Sequence, residues 1–184
     1  RLIEDRLENM RSGDAHGPDR IFDVAIAYDD DGIVRSMKMR ALDNAGAYAG
    51  RAPFQLGKPI GAIVGPYKIN SVEYRAMSVT TNKATQEAVR GFGQSPTNYA
   101  IETAIDKVAE ATGLDRLETR RRNFIRHDEF PYLIPSGTRY DSGDYHAVVD
   151  KVMKHLDWPA FVARRDALRA QGMLAGIGVA AGLE

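Results

Sequence analysis

The sequence predicts an α+β fold, mixed strands followed by helices, on its own or as part of a larger mixed fold. Three observations lead there. Apolar residues alternate at period two through the first part of the chain, to about residue 83. They recur at spacings of three and four between residues 94 and 171. Clusters of Gly, Pro and Asp separate the segments. Strands gathered before helices, rather than interleaved with them, are the α+β order.

The first 12 residues read as the end of a strand or a short charged segment, and "SGDAHGPDR" (12–20) as a loop. Phe22, Val24, Ile26 and Tyr28 then share one side of a half-buried strand. "DDDG" (29–32) breaks it with Asp-Gly, a hairpin-turn signal, and residues 33–48 return as a second strand. With Gly32 at the sixth loop position of a calcium hand, Ala27 and Lys38 would fall where acids are required, so the triple acid is read as a solvated turn. Residues 49–66 are irregular, and such long loops are often functional. Residues 67–83 hold a third strand, with Val72, Tyr74 and Ala76 alternating.

A helix follows, with Ser95 as expected N-cap and Pro96 in the first helical position. Ile101, Ala104, Ile105, Val108 and Ala111 give it one apolar face, and Gly113 is the expected stop. Asp115 and Glu118 open a second helix, about 115–125, crowded with Arg116, Arg120, Arg121, Arg122 and Arg126. That crowd reads as a solvated basic face, with docking of an acidic neighbour as the alternative. Residues 128–145 read as a linker or loop, then helices at about 144–156 and 159–171, and "GIGVAAGLE" as the opening of a strand.

Composition narrows the function. Twenty-five basic residues balance 25 acidic ones, which argues against a dominant nucleic-acid or membrane-surface role. There is no cysteine, so disulfides, thiolate zinc sites, iron–sulfur ligation and cysteine nucleophiles are excluded within this chain. A cysteine-free chain fits a reducing compartment, and a cytoplasmic location is expected. No apolar run approaches the roughly 18–20 residues that span a bilayer, and no signal-peptide pattern is present. His16, His127, His146 and His155 lack metal-ligand spacing. The charged opening and the strand-like close lead us to expect a piece of a longer polypeptide.

The densest signal is "EAVRGFGQSPTNYAIETA" (87–104). It approaches the dinucleotide fingerprint, but Pro96 replaces the third glycine and no apolar strand precedes it, so a Rossmann site is not expected. Two glycines permit unusual dihedrals, and the following helix directs free N–H groups toward the turn. Arg90 adds a fixed charge and Phe92 a flat face. An ordinary tight turn and an anion or cofactor site both remain open on these grounds.

"VRGFGQ" resembles the arginine–glycine–aromatic–glycine turn of the large subunits of the xanthine oxidase and aldehyde oxidase family, the molybdenum hydroxylases. "EDRLEN", "GIVRSMKMRALDNAGAY", "GPYKI", "TNKATQ", "AIETAIDKVAEATGLD", "RRRNFI", "FPY", "YDSGDY" and "GIGVA" follow in the family's order, over essentially the whole chain. The resemblance implies an internal fragment. Residues 1–127 would belong to a first molybdopterin-binding domain, 128–172 to a linker and helical connection, and 173–184 to the start of a second. It implies molybdopterin with molybdenum, expected in the cytosine dinucleotide form, and iron–sulfur and FAD groups on partner subunits. The activity implied is hydroxylation of an aldehyde or N-heterocycle with water as oxygen source, this piece being inactive alone. The resemblance assigns Arg90, Gly91, Gly93 and Gln94 to the cofactor, with the Arg90 backbone near molybdenum. It assigns Phe92 and Lys58 to substrate, Lys58 where some members carry an arginine. No side chain here ligates the metal, and the base glutamate is expected outside the chain, so Glu184 is not nominated. Copper-containing carbon monoxide dehydrogenases carry a cysteine within this turn; here Gly91-Phe92 stand there, which disfavours that mechanism. The competing expectation is a noncatalytic α+β module docking an acidic partner through the Arg-rich helix.

Overall fold

The computed structural model describes residues 2–12, 17–48 and 50–183; His16 and Glu184 lie outside the described residues. A three-stranded sheet forms the front layer, with β1 (Arg20–Tyr28), β2 (Val34–Gly46) and β3 (Ser71–Thr80) in that order. The Asp-Gly turn makes β1 and β2 antiparallel: Asp29 Oδ1 accepts the Ile33 N–H at 2.9 Å, and Gly32 takes φ +75°. β3 is parallel to β2, so the chain must cross from one end of the sheet to the other between them.

That crossover makes the first correction. Residues 49–66 are not merely irregular. They hold a short helix α2 (Ala52–Gly57) and a 3-10 turn (Lys58–Ala62), with Pro53 and Pro59 at positions where a missing N–H costs nothing. The opening segment is likewise a helix, α1 (Arg6–Ser12), because Asp5 and Glu8 cap each other's backbone N–H at 2.8 and 3.0 Å.

Alternation along β2 decides the core. Val34, Met37, Met39, Ala41 and Ala45 face inward and are buried, while Arg35, Lys38, Arg40 and Leu42 face out. The inward row packs on α3 (Gln94–Thr112) through Ile101, Ile105 and Val108, with Ile63, Val64, Tyr67 and Ile69 filling the end of the layer. Each such large side chain contributes about 1.5–3 kcal/mol on burial. Ala111 is exposed, and Ala100 and Ala109 take the small positions of the buried face instead.

The N-terminus of α3 differs from expectation. The cap is Gly93 (φ +77°), not Ser95, so Pro96 is the third helical residue. The turn winds directly into the helix, and Pro96 still lies in the first turn, where no N–H is needed. Gly113 (φ +72°) ends the helix as expected. Asp115 caps α4 (Arg116–Asn123) through the Leu117 and Glu118 N–H groups. The segment 128–145 is more ordered than a linker, with a 3-10 turn (His127–Glu129) and a small hairpin of β4 (Tyr132–Leu133) and β5 (Arg139–Tyr140).

Two helices, α5 (Tyr145–His155) and α6 (Trp158–Ala170), complete the chain's regular structure. Neither holds a fully buried residue. Residues 173–183 form no strand among the described residues; Met173 and Ala175 bond back to α6, and residues 179–183 lie along α3. No described helix is long and apolar enough to cross a membrane.

Candidate functional site

The Gly turn is built from its own backbone. Phe92 N–H donates to the Val89 carbonyl at 2.9 Å, and the Gln94 and Ser95 N–H groups converge on the Gly91 carbonyl at 2.7 and 3.3 Å. Two first-turn donors of α3 are therefore already used, so the helix end has fewer free N–H groups than the sequence suggests. Gly91 (φ +95°) and Gly93 sit in the left-handed region. At Gly93 space forbids a side chain as well, while at Gly91 the clash is with a hydroxyl that can rotate. A Cβ on Gly93 would overlap the Gln55 carbonyl of α2, and one on Gly91 the Ser95 hydroxyl.

Behind the turn, residues 81–89 are fixed to the end of β2. Ala47 N–H donates to Lys83 O at 3.0 Å and Gln86 N–H to Ala45 O at 2.9 Å. The buried Gln86 amide donates to both Asp43 oxygens and accepts the Asp19 N–H. Asp43 in turn pairs with Arg20 Nε at 2.8 Å, both side chains being wholly buried. A buried ion pair adds little net stability but is costly to break, so this cluster fixes geometry more than it adds energy.

In front of the turn, Gly91, Gln94, Ser95, Asn98, Gly182 and Leu183 line a cleft of about 280 Å³. Two buried polar atoms on its lining residues, Gln94 Nε2 and Asn98 Oδ1, have no hydrogen-bond partner among the described residues. Beside it, both amide atoms of the wholly buried Gln55 and Nη2 of Arg20 are also without one. A buried polar atom left unpaired costs about 1–3 kcal/mol, so a run of them around one turn marks a place completed by something further.

Of the residues singled out from the sequence, Gly91 and Gln94 line the cleft and Gly93 seals its floor against α2. Arg90 is exposed and Phe92 half-buried, on either side of Gly91 in the same turn. Lys58 is exposed one turn beyond Gln55, on the segment that packs against Gly93. The structure adds Asn98, Gln55, Gln86, Asp43 and Arg20. Asp43 had a readable signal: it is in phase with Met37, Met39 and Ala41, so a carboxylate on the inward face had to be partnered.

The expected solvated basic face holds at Arg116, Arg122 and Arg126, which are exposed, and is corrected at Arg120. Arg120 is buried: its Nε and Nη2 reach Glu102 Oε2 at 2.8 Å, and its Nη1 reaches Asp106 at 2.7 Å. Burial alone would lower its pKa, but Tyr67 and Glu102 beside it and the Asp106 hydrogen bond raise it above the ordinary guanidinium value. Arg121 pairs with Asp150, Arg122 with Glu118 and Arg126 with Asp128. The cations answer this chain's own acids, which disfavours an acidic docking partner. Among the described residues no group of three His, Asp or Glu could hold a metal ion.

Residues 1–124 match the family described as the molybdopterin cofactor-binding domain. The chain belongs to this family. It is similar to the nicotine 6-hydroxylase large subunit of Paenarthrobacter nicotinovorans, 31% identical over 99% of this chain and 22% of that protein. It is 34% identical to a carbon monoxide dehydrogenase large chain of Hydrogenophaga pseudoflava, over 96% of this chain and 23% of that protein. Its fold superimposes on quinoline 2-oxidoreductase from Pseudomonas putida 86 with a TM-score of 0.82 at 30% identity, over 92% of this chain and 22% of that one. This molybdopterin cofactor-binding chain thus spans between a fifth and a quarter of the length of such relatives, the large subunits of molybdenum-containing dehydrogenases and hydroxylases.

Proposed function

We propose that the Gly turn and its cleft hold one end of a molybdopterin cofactor within an oxidoreductase large subunit. The observation that carries this is the pair of unpartnered buried atoms, Gln94 Nε2 and Asn98 Oδ1, on two residues that line a cleft beside a turn with no room for a side chain at Gly93. One donor and one acceptor fit the edge of a polar heterocycle or an oxo group, and the glycines permit close backbone approach. The cleft is smaller than the roughly 300–1,000 Å³ of whole ligand pockets, so the rest of the cofactor, read as the cytosine dinucleotide form, would lie against chain beyond this piece.

When bound, the group supplies two-electron oxidation of an aldehyde or N-heterocycle with water as oxygen source. The residues here bind and orient. The Arg90 backbone would contact the metal centre, Phe92 would stack on a planar substrate, and Lys58 would bring a positive charge toward it as a point rather than a fork. Nicotine and quinoline in the names of relatives are N-heterocycles, which supports that substrate class. A carbon monoxide reaction is disfavoured, since the turn has Gly91-Phe92 and the chain no cysteine. Residues 1–127, 128–172 and 173–184 are read as first domain, connection and start of the second. Iron–sulfur and flavin subunits, a base glutamate elsewhere in the large subunit and a cytoplasmic setting complete the reading.

The test uses the full-length subunit in its complex. Gln94→Leu should lower molybdenum content at least roughly tenfold while leaving thermal stability unchanged or higher, because the amide nitrogen has no hydrogen-bond partner among the described residues. Phe92→Ala should lower kcat/KM by roughly tenfold, about 1.4 kcal/mol, while Arg90→Ala, which keeps the backbone, and the control Arg121→Ala should each change it by less than about twofold. Unchanged molybdenum in Gln94→Leu, or equal losses in all three turnover variants, would count against the assignment.

A further inference from the structure

Helix α3 carries a polar stripe beside its apolar face. Gln94, Asn98, Glu102 and Asp106 recur at spacing four, so they stack along one side of the helix. The extended segment 179–183 lies along that stripe in order. Val179 and Ala180 share a groove with Asp106 and Glu102, the Ala181 N–H donates to Glu102 Oε2 at 3.0 Å, Gly182 approaches Asn98, and Leu183 shares the cleft with Gln94. The segment thus runs antiparallel to α3, toward the Gly turn.

Glu102 is the only stripe residue with a described hydrogen bond to this segment. It is buried and held at both oxygens. Oε1 accepts the Tyr67 hydroxyl at 2.5 Å, and Oε2 accepts Arg120 Nε at 2.8 Å and the Ala181 N–H, with Arg120 Nη2 in ion-pair contact at 2.8 Å. Tyr67 and Arg120 therefore fix the carboxylate from two sides, and the carboxylate fixes the segment. Burial and the Glu102 charge push the Tyr67 phenol well above its usual pKa, so it stays a donor. Gly182 lies against the Asn98 side chain, where a Cβ would meet the amide nitrogen at 3.4 Å, so the segment is in contact with the stripe there.

We infer that Glu102 is a positioning residue: it sets the register of residues 178–183 along α3, and so forms the wall that closes the cleft at Gly182 and Leu183. Its consequence for cofactor retention rests on the reading above; the register itself does not. An amide replaces the carboxylate only in part: with its oxygen toward Arg120 and Ala181 and its NH2 donating to the Tyr67 hydroxyl oxygen it keeps the partners but loses the charge that strengthens these bonds and holds Arg120.

The experiment is hydrogen exchange on the full-length subunit prepared free of molybdenum, so that it does not depend on the cofactor. Glu102→Gln should speed exchange across 178–183 at least about tenfold, with residues 34–46 unchanged. Ala181→Pro removes the same bond from the other side and should speed exchange at Gly182 and Leu183 alike; it keeps the test open if Glu102→Gln fails to fold. Tyr67→Phe frees one side of the carboxylate but leaves the Ala181 bond in place, and should speed exchange by clearly less than Glu102→Gln. Unchanged protection in both of the first two variants overturns the proposal, and so does Tyr67→Phe loosening the segment as much as Glu102→Gln. In the reconstituted complex, Glu102→Gln should also retain several-fold less molybdenum. The cofactor reading is tested separately by molybdenum content in Gln94→Leu.

Discussion

The two helical regions of this chain bury themselves in opposite ways. α3 and α4 pack into the sheet, with Ile101, Ile105 and Val108 wholly enclosed and even Arg120 out of water. α5 and α6 have as clear an apolar stripe, Tyr145, Val148, Val149, Val152 and Leu156, yet Val148 is 60% and Val152 44% exposed. The stripe faces an open apolar groove of about 470 Å³, shared with Trp158, Phe161 and Gly178–Gly182. It is fastened mainly at its start, where Tyr145 and His146 pack edge-on against Phe124 at ring distances of 6.0 and 5.5 Å. Periodicity reports that a helix has an apolar side; it does not report whether this chain covers it. The first region should therefore carry the chain's own stability, and the second should add little by itself.

The largest effect that would sharpen this contrast is at Arg120. Arg120→Ala leaves Glu102 buried beside Tyr67 without its cation, a loss of about 3–5 kcal/mol by urea denaturation. A loss under about 1 kcal/mol would show that water or a neighbour replaces the guanidinium, and that the first region is less closed than its geometry implies. A matched pair of truncations comes next. Ile105→Ala should cost about 2–5 kcal/mol, while Val152→Ala should stay within about 0.5 kcal/mol in this chain. Equal costs would break the comparison.

Much of the fold was legible because its signals are local. The Asp-Gly turn, the period-two rows of β1 and β2, the Gly113 stop and the Asp115 cap each state their geometry within a few residues. What was hidden depends on partners distant in sequence. Glu102 and Arg120 look like ordinary surface charges on their helices, and only the packing of α4 on α3 makes them a buried pair. The 3-10 turn and α2 were hidden by glycines and prolines that serve short helices as well as loops. The N-terminus of α3 was misplaced by two residues because Gly93 caps through backbone conformation, with no side-chain signature. At the site, the turn itself could be read, but Asn98 and Gln55 could not: an amide's missing partner is visible only in three dimensions.

The smallest effect tests where the first region ends. Asp115 Oδ1 accepts the Leu117 and Glu118 N–H groups at 2.8 and 3.0 Å, and Asp115→Ala should cost about 1 kcal/mol, the ordinary value for a lost cap. That value assumes only the first turn of α4 frays. Farther along, the Asn123 amide accepts the Val34 N–H at 2.7 Å and donates to the Gly32 carbonyl at 2.8 Å, stapling α4 to the β1–β2 turn independently of the cap. If Asp115→Ala instead cost more than about 3 kcal/mol, fraying would have reached Arg120, and α3, α4 and the sheet would unfold as one cooperative unit rather than as a helix held separately at its two ends.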